Sequence, residues 1–256
     1  MTIFESQIST STEAFANNRA EMLALVEKTR ELEARAEAAS EKSRPRFERR
    51  GQLIPRERVA QLLDPGAPFL EIGNMAGYLR DTENRDRSIP GASTIAGIGS
   101  VNGVRSMIVA TDSGINAGAI TEIGGAKINR CQDIALENKL PFIHLVESAG
   151  ANLLEYRVQL FVSGGKLFQK FAKLSAAGCP VVTILHGSST AGGAYFPGMS
   201  DYVVGVRGRG QAFLAGPPLV KAATGEVADA QELGGAEMHA TISGLVEHLA
   251  ENDGDG

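Results

Sequence analysis

Few residues in this 256-residue chain have the type and spacing to do side-chain chemistry. His144, His186, His239 and His248 lie far apart, Cys131 and Cys179 form no CxxC pair, and neither GxSxG nor HExxH occurs. Gly187 to Gly192, GSSTAG, has the wrong spacing for a nucleophile elbow. His144 and His186 fall in or at the end of apolar strands, where a hydrogen-bonded core imidazole is commoner than a catalytic one. Backbone amides remain. Val181 to Leu185 is a near-continuous apolar run that suits a buried parallel strand, and Gly192-Gly193 then lets the chain turn and approach a ligand closely. A helix opening at Ala194 would present partnerless N–H groups to an anion or a developing oxyanion. Ala149, Gly150 and Ala151 follow the strand Phe142 to Val146 in the same way. Either turn also reads as a tight connection in a glycine-rich α/β protein.

The elements that must hold these turns follow from patterning. Thr121 to Asn138 is a helix with Ile128, Cys131, Ile134 and Ala135 on one face; Lys166 to Ala177 is another, with Leu167, Phe168, Phe171 and Leu174 inward and Gly178 as its stop. Strands at Met107 to Ala110, Phe142 to Val146 and Val181 to Leu185 alternate with them, which implies a parallel sheet. Ser93 to Asp112 reads as a hairpin through Asn102-Gly103. GIGSVNG inside it is therefore not a dinucleotide-binding loop, which would open a helix. Residues 1–50 read as a helical lead-in and linker: an amphipathic helix from about Thr12 to Ser40, then a basic stretch with Lys42, Arg44, Arg46, Arg49 and Arg50. That stretch is either a solvated linker or a phosphate contact. Residues 51–250 form the main domain, and 251–256 a flexible tail.

Composition narrows the function classes. A hydrophobic content of 43%, a charged content of 21% and 30 glycines describe a globular chain with many tight turns. A net charge of −5 leaves no nucleic-acid footprint. No apolar stretch approaches the ~20 residues of a membrane span, and no leader pattern opens the chain, so the expected location is cytoplasmic. Without CxxC spacing a zinc module is excluded, and no metal site is expected.

Three blocks carry a family resemblance: TAGGAYFPGMSD (Thr190 to Asp201), FLAGPPLVKAATGE (Phe213 to Glu226) and ELGGAEMH (Glu232 to His239). They resemble the carboxyltransferase (β) subunit of biotin-dependent acyl-CoA carboxylases of the propionyl-CoA and methylcrotonyl-CoA type. Weaker support lies in Leu53 to Ile72, Ala117 to Ile128 and Glu147 to Leu153, so the likeness runs from about Arg50 onward. It implies an α/β crotonase/ClpP-like spiral of strand-strand-helix units. It also implies that Ala149, Gly150, Gly192 and Gly193 are backbone oxyanion donors and that Ala151, Ala194, Tyr195, Phe196, Gly216 and Lys221 contact the acyl-CoA. The family usually reads SGGA where this chain has SAGA, Ser148 to Ala151, and alanine does not adopt positive φ cheaply. Either Ala149 is conventional or the site is altered. The segment after Leu153 also departs from the family pattern, which bears on acyl specificity.

The implied chemistry explains the missing side-chain base: carboxybiotin supplies both the carboxyl group and the base. No Met-Lys-Met or Met-Lys-Leu site occurs, so biotin arrives on another chain. The implied partners are a biotin carboxylase or biotin carrier subunit, a C-terminal carboxyltransferase half or neighbouring subunit, and further copies in a homo-oligomer. The chain matches the first half of the family pattern, with the second half expected from a separate chain or from sequence beyond Gly256. Two rivals stand beside this reading. A crotonase-like enoyl-CoA hydratase or isomerase would need placed carboxylates, with Glu147 and Glu155 nearest. A non-catalytic assembly module would need none.

Overall fold

A computed structural model of the chain describes residues 6–151 and 157–256. The long helix α1 (Glu13–Glu41) starts where its Thr12 hydroxyl accepts the Phe15 N–H. Its apolar residues Met22, Leu25 and Val26 face solvent instead of a core. Among the described residues its last turns dock: Ser40 donates to Asp112 at 2.7 Å and Asn74 donates to Glu33 at 3.2 Å.

The basic stretch is not a linker. It forms α2 (Arg44–Arg49), with Pro45 in the first turn and Phe47 buried. Arg46 and Arg58 lie over the Phe47 ring, at 5.1 and 5.6 Å from its centroid, and Arg46 also donates to the Ser113 carbonyl. Cation–π contact and apolar burial hold Arg46 and Phe47 in place, while Lys42, Arg49 and Arg50 stay exposed. Helix α3 (Pro55–Leu62) follows, its Ile54 N–H capped by Glu57.

The sheet runs β1-β2-β3-β4-β5-β6-β8, with β7 attached to β5 off this path. Strands β1 (Leu70–Glu71), β2 (Thr94–Val101) and β3 (Val104–Thr111) pair antiparallel. Asn102 and Gly103, at φ 50° and 75°, form the expected hairpin turn, both left-handed as a type I′ turn requires. From β3 onward each pairing is parallel: β4 (Phe142–Ser148), β5 (Val181–Thr190), β6 (Tyr202–Val206), β7 (Gln211–Phe213) and β8 (His248–Ala250). β5 makes the spiral turn. Its first half pairs with β6 and its last residues, Ser188 to Thr190, with β7.

Each face of the sheet has its own core. On one, α4 (Glu122–Asn138) and α5 (Val158–Ala176) cover Val109, Phe142 and Val146, with Ile128, Cys131, Phe171 and Leu174 inward as their spacing predicts. On the other, α3 brings Val59 onto Ile108, Leu145 and Ile184. α4 is capped by Thr121, whose hydroxyl accepts the Gly124 N–H, and α5 stops at Gly178, φ 72°. α5 begins at Val158, earlier than its apolar pattern indicates, and this added first part exposes Val158, Phe161 and Val162. Among the described residues no helix is long and apolar enough to cross a membrane.

The final residues are not a free tail. Asp253 is buried and its carboxylate accepts hydrogen bonds from the Leu53 N–H at 2.7 Å, Arg58 Nε at 2.9 Å and the His186 ring at 2.8 Å. Three donors, one of them a guanidinium, hold the segment against the body.

Candidate active site

Adjacent parallel strands β4 and β5 end side by side, with Ser148 opposite Ser189 after a register shift beyond Val146. Each runs into a glycine turn at its carboxyl end, the place where parallel sheets leave a crevice for ligands. The two turns touch. Gly150 is at φ 84°, and a Cβ there would sit 2.7 Å from the Thr190 carbonyl oxygen, so only glycine fits. A Cβ on Gly193 would meet the Ser148 side chain at 3.3 Å.

In the first turn Ala149 has conventional φ, which answers the question raised by SAGA. Its N–H donates to the Ala117 carbonyl at 3.1 Å, and the Gly150 N–H donates to Ser148 Oγ at 3.1 Å. Ala149 therefore has no spare amide in this conformation, contrary to expectation, because a preceding loop has taken it. Ala151 is exposed and bridges to Ile120.

The second turn opens earlier than expected. A 3₁₀ helix spans Ala191–Ala194, with Ala191 left-handed at φ 49°, and α6 (Tyr195–Gly198) continues it. An i→i+3 ladder starting from the Thr190 carbonyl takes the Gly193 N–H first, which leaves Gly192 ahead of the ladder. Gly192 is half-buried with open space where a Cβ would stand. Ala194 is half-buried and Tyr195 exposed, its ring 4.7 Å from that of Phe168. Phe196 is a core residue: it is buried against the His144 ring at 4.6 Å and Phe171 at 5.8 Å, out of reach of a substrate. Gly216 caps α7 (Pro217–Thr224), and Lys221 is exposed on that helix, which buries none of its residues.

The titratable groups near the turns are committed elsewhere. Glu147 is ion-paired with buried Arg58 at 2.9 Å and lies within 4.0 Å of Arg50. Arg58 in turn holds Asp253, whose carboxyl burial raises but the His186 and Arg58 contacts bring below its ordinary range. Burial depresses the His186 ring despite Asp253 beside it, and burial alone takes His144 down to about 3. Both imidazoles are neutral at physiological pH. Glu147 is thus a structural partner rather than a placed acid or base, and Glu155 lies outside the described residues. No group of three or more metal-holding side chains occurs among the described residues. A cleft of about 490 Å³ is lined by Asn116, the start of α4 at Thr121 and Glu122, and Arg80, Asp81 and Arg157, and by no residue of either turn.

Sequence reasoning missed Ser148, the left-handed run Asn116 to Gly118 and the Arg58–Asp253 pair. The Asn-x-Gly pattern at Asn116 was the one available signal, since Asn and Gly favour left-handed backbone.

Residues 46–256 match the carboxyl transferase domain family. The chain is 49% identical over 210 residues to the probable biotin-dependent acyl-coenzyme A carboxylase beta2 subunit of Mycobacterium tuberculosis, covering 82% of this chain and 38% of that one. It is 45% identical over 246 residues to that organism's biotin-dependent 3-methylcrotonyl-coenzyme A carboxylase beta1 subunit, covering 94% of this chain and 45% of the relative. Among solved structures it is similar to the beta subunit of P. aeruginosa geranyl-CoA carboxylase, with TM-score 0.89, 51% identity, and 98% and 46% of the two chains covered. It is also similar to the transcarboxylase 12S hexamer, with TM-score 0.77, 31% identity, and 96% and 46% covered. The chain spans less than half the length of these relatives.

Proposed function

Since this chain belongs to the carboxyl transferase domain family, and so has the crotonase-like fold, we propose that it is the acyl-CoA-binding half of a biotin-dependent carboxyltransferase. The complete enzyme would move a carboxyl group from carboxybiotin to the α or vinylogous carbon of an acyl-CoA. The observation that carries the reading is the pair of abutting glycine turns at the ends of β4 and β5.

Biotin, borne on a separate carrier chain, would supply the carboxyl group and the base. This chain's own part is binding and polarisation. The Gly192 N–H, ahead of the 3₁₀ ladder, and the Ala151 and Gly150 amides of the facing turn would converge on the thioester oxygen as it gains charge. Preorganised donors of this kind are worth about 10²- to 10³-fold each. Tyr195 and Ala194 would flank the acyl group, and Lys221 and the Gly216 lip would meet the CoA phosphates. The neutral, enclosed state of His144 and His186 and the pairing of Glu147 fit a reaction that asks no side-chain base of this chain. Partners in the proposal are the biotin carboxylase and carrier subunit, the C-terminal carboxyltransferase half, and further copies of the same chain, acting in the cytoplasm.

The test joins this chain to the remaining carboxyltransferase half and a biotinylated carrier, and follows transfer of labelled carboxyl to acyl-CoA. Transfer is expected, with no hydration of enoyl-CoA. Hydration by the chain alone would replace this reading with the hydratase one, and CoA binding without transfer would replace it with an assembly role.

A further inference from the structure

Ser148, the last residue of β4, is enclosed, and its hydroxyl has two partners. It donates to the Gly118 carbonyl at 2.8 Å and accepts the Gly150 N–H at 3.1 Å. Its other side touches the second turn at Gly193. The loop it grips is strained: Asn116, Ala117 and Gly118 run consecutively at φ 49°, 51° and 66°. Non-glycine residues hold such a conformation only where their surroundings impose it. Two further bonds stitch this loop to the turn, Ala149 N–H to the Ala117 carbonyl at 3.1 Å and Ile120 N–H to the Gly150 carbonyl at 2.8 Å. Both are backbone to backbone. Ser148 contributes the side-chain bond, and it touches both glycine turns.

We infer that Ser148 is a positioning residue for carboxyl transfer, its hydroxyl fixing the Gly150 amide between the left-handed loop and the second glycine turn. The inference rests on the proposed function. The serine also sets when the Gly150 N–H is released. At rest that N–H serves a neutral hydroxyl oxygen. A hydrogen bond to an ionised acceptor is roughly twice as strong as one to a neutral acceptor, so the N–H passes to an enolate oxygen more readily than to a thioester carbonyl. An interaction gained only as charge develops raises kcat and leaves ground-state binding alone.

The experiment uses the whole assembly, with this chain, the remaining carboxyltransferase half and the biotin carrier. Ser148→Ala is expected to lower kcat by about 10²-fold, the scale of a misplaced catalytic contact, while KM for acyl-CoA stays level or falls. Ser148→Cys, which keeps a weak donor and acceptor, is expected to fall between. Val59→Ala, on the opposite face, lowers the melting temperature without this change in kcat. A wild-type kcat in Ser148→Ala overturns the inference, as does a raised KM at constant kcat. An equal kcat loss in Val59→Ala overturns it too, since the effect would then be one of stability. If Ser148→Ala does not fold, Ser148→Cys is read by the same criteria. A wild-type assembly that transfers no carboxyl group defeats the functional reading and this inference with it, whereas an active wild type with an unaffected Ser148 variant defeats this inference alone.

Discussion

At the scale of single residues, the two neighbouring glycines of the second turn have different tasks. Gly193 is buried against Ser148, where a Cβ would already sit 3.3 Å from its side chain and the branches of a valine need more room still; Gly192 has nothing within 4 Å of where a Cβ would stand. Gly193→Val is therefore expected to lose both activity and thermal stability. Gly192→Val is expected to lower carboxyl transfer by ~10²- to 10³-fold, as loss or obstruction of one oxyanion donor does, with a melting temperature close to wild type. Calorimetric melting beside an activity assay separates the two, and full activity in Gly192→Val would remove that amide from the site. Lys221 is exposed, and among the described residues it makes no ion pair. Its contribution to CoA affinity is therefore that of a surface charge, at most about fivefold. Titration calorimetry of Lys221→Ala with CoA and dephospho-CoA is expected to show the loss with CoA alone.

At the scale of elements, α3, β4, β5 and the last residues are joined through one buried network. Arg58 bridges Glu147 and Asp253 with both contacts at 2.9 Å, Asp253 holds His186, and Gln52 donates to the His186 carbonyl. Removing one member of such a network leaves a charge buried and uncompensated, so Arg58→Ala is expected to cost about 3–5 kcal/mol in urea unfolding, far more than an exposed pair such as Arg207–Glu237. This network also shows where the sequence stops being readable. Asn102-Gly103, the inward face of α4 and the strand-helix alternation are local patterns, and each appears in the structure as spacing predicts. Asp253 binds groups 195 and 200 residues away, and no local period encodes that. The same holds for α2, where Phe47 is buried beneath its neighbour Arg46 and Arg58 of α3 while Arg49 stays exposed. In the candidate site, the resemblance singled out both turns, but a motif cannot say which amides are already taken. Ala149 lost its free N–H to a loop some thirty positions earlier, and Phe196, inside a matching block, packs inward.

At the scale of the whole molecule, two consequences follow from what is buried and what is left exposed. His144 is enclosed, and burial takes its ring from 6.5 down to about 3. The unfolded chain binds a proton there below pH 6.5 that the folded chain refuses, so this group leaves stability unchanged above pH 6.5 and lowers it as pH falls toward 3. The slope is about 1.4 kcal/mol per pH unit for one proton, and His186, depressed in the same direction, steepens it. His144→Gln is expected to flatten the acid limb of the unfolding free energy measured against pH. The second consequence concerns assembly. Met22, Leu23, Leu25 and Val26 are exposed along α1, and Leu214, Leu219, Val227 and Ile242 are exposed around α7. Scattered apolar residues are ordinary on a surface, but two groups on separate elements are more than a stable monomer usually leaves open. We expect the chain to self-associate, its mean mass in light scattering rising with concentration. Replacing Met22, Leu25 and Val26 with Gln is expected to lower that mass without moving the melting temperature, because these side chains are exposed among the described residues. A constant monomer mass at high concentration would show that these faces stay solvated, and an unchanged mass in the triple variant would assign the association to α7.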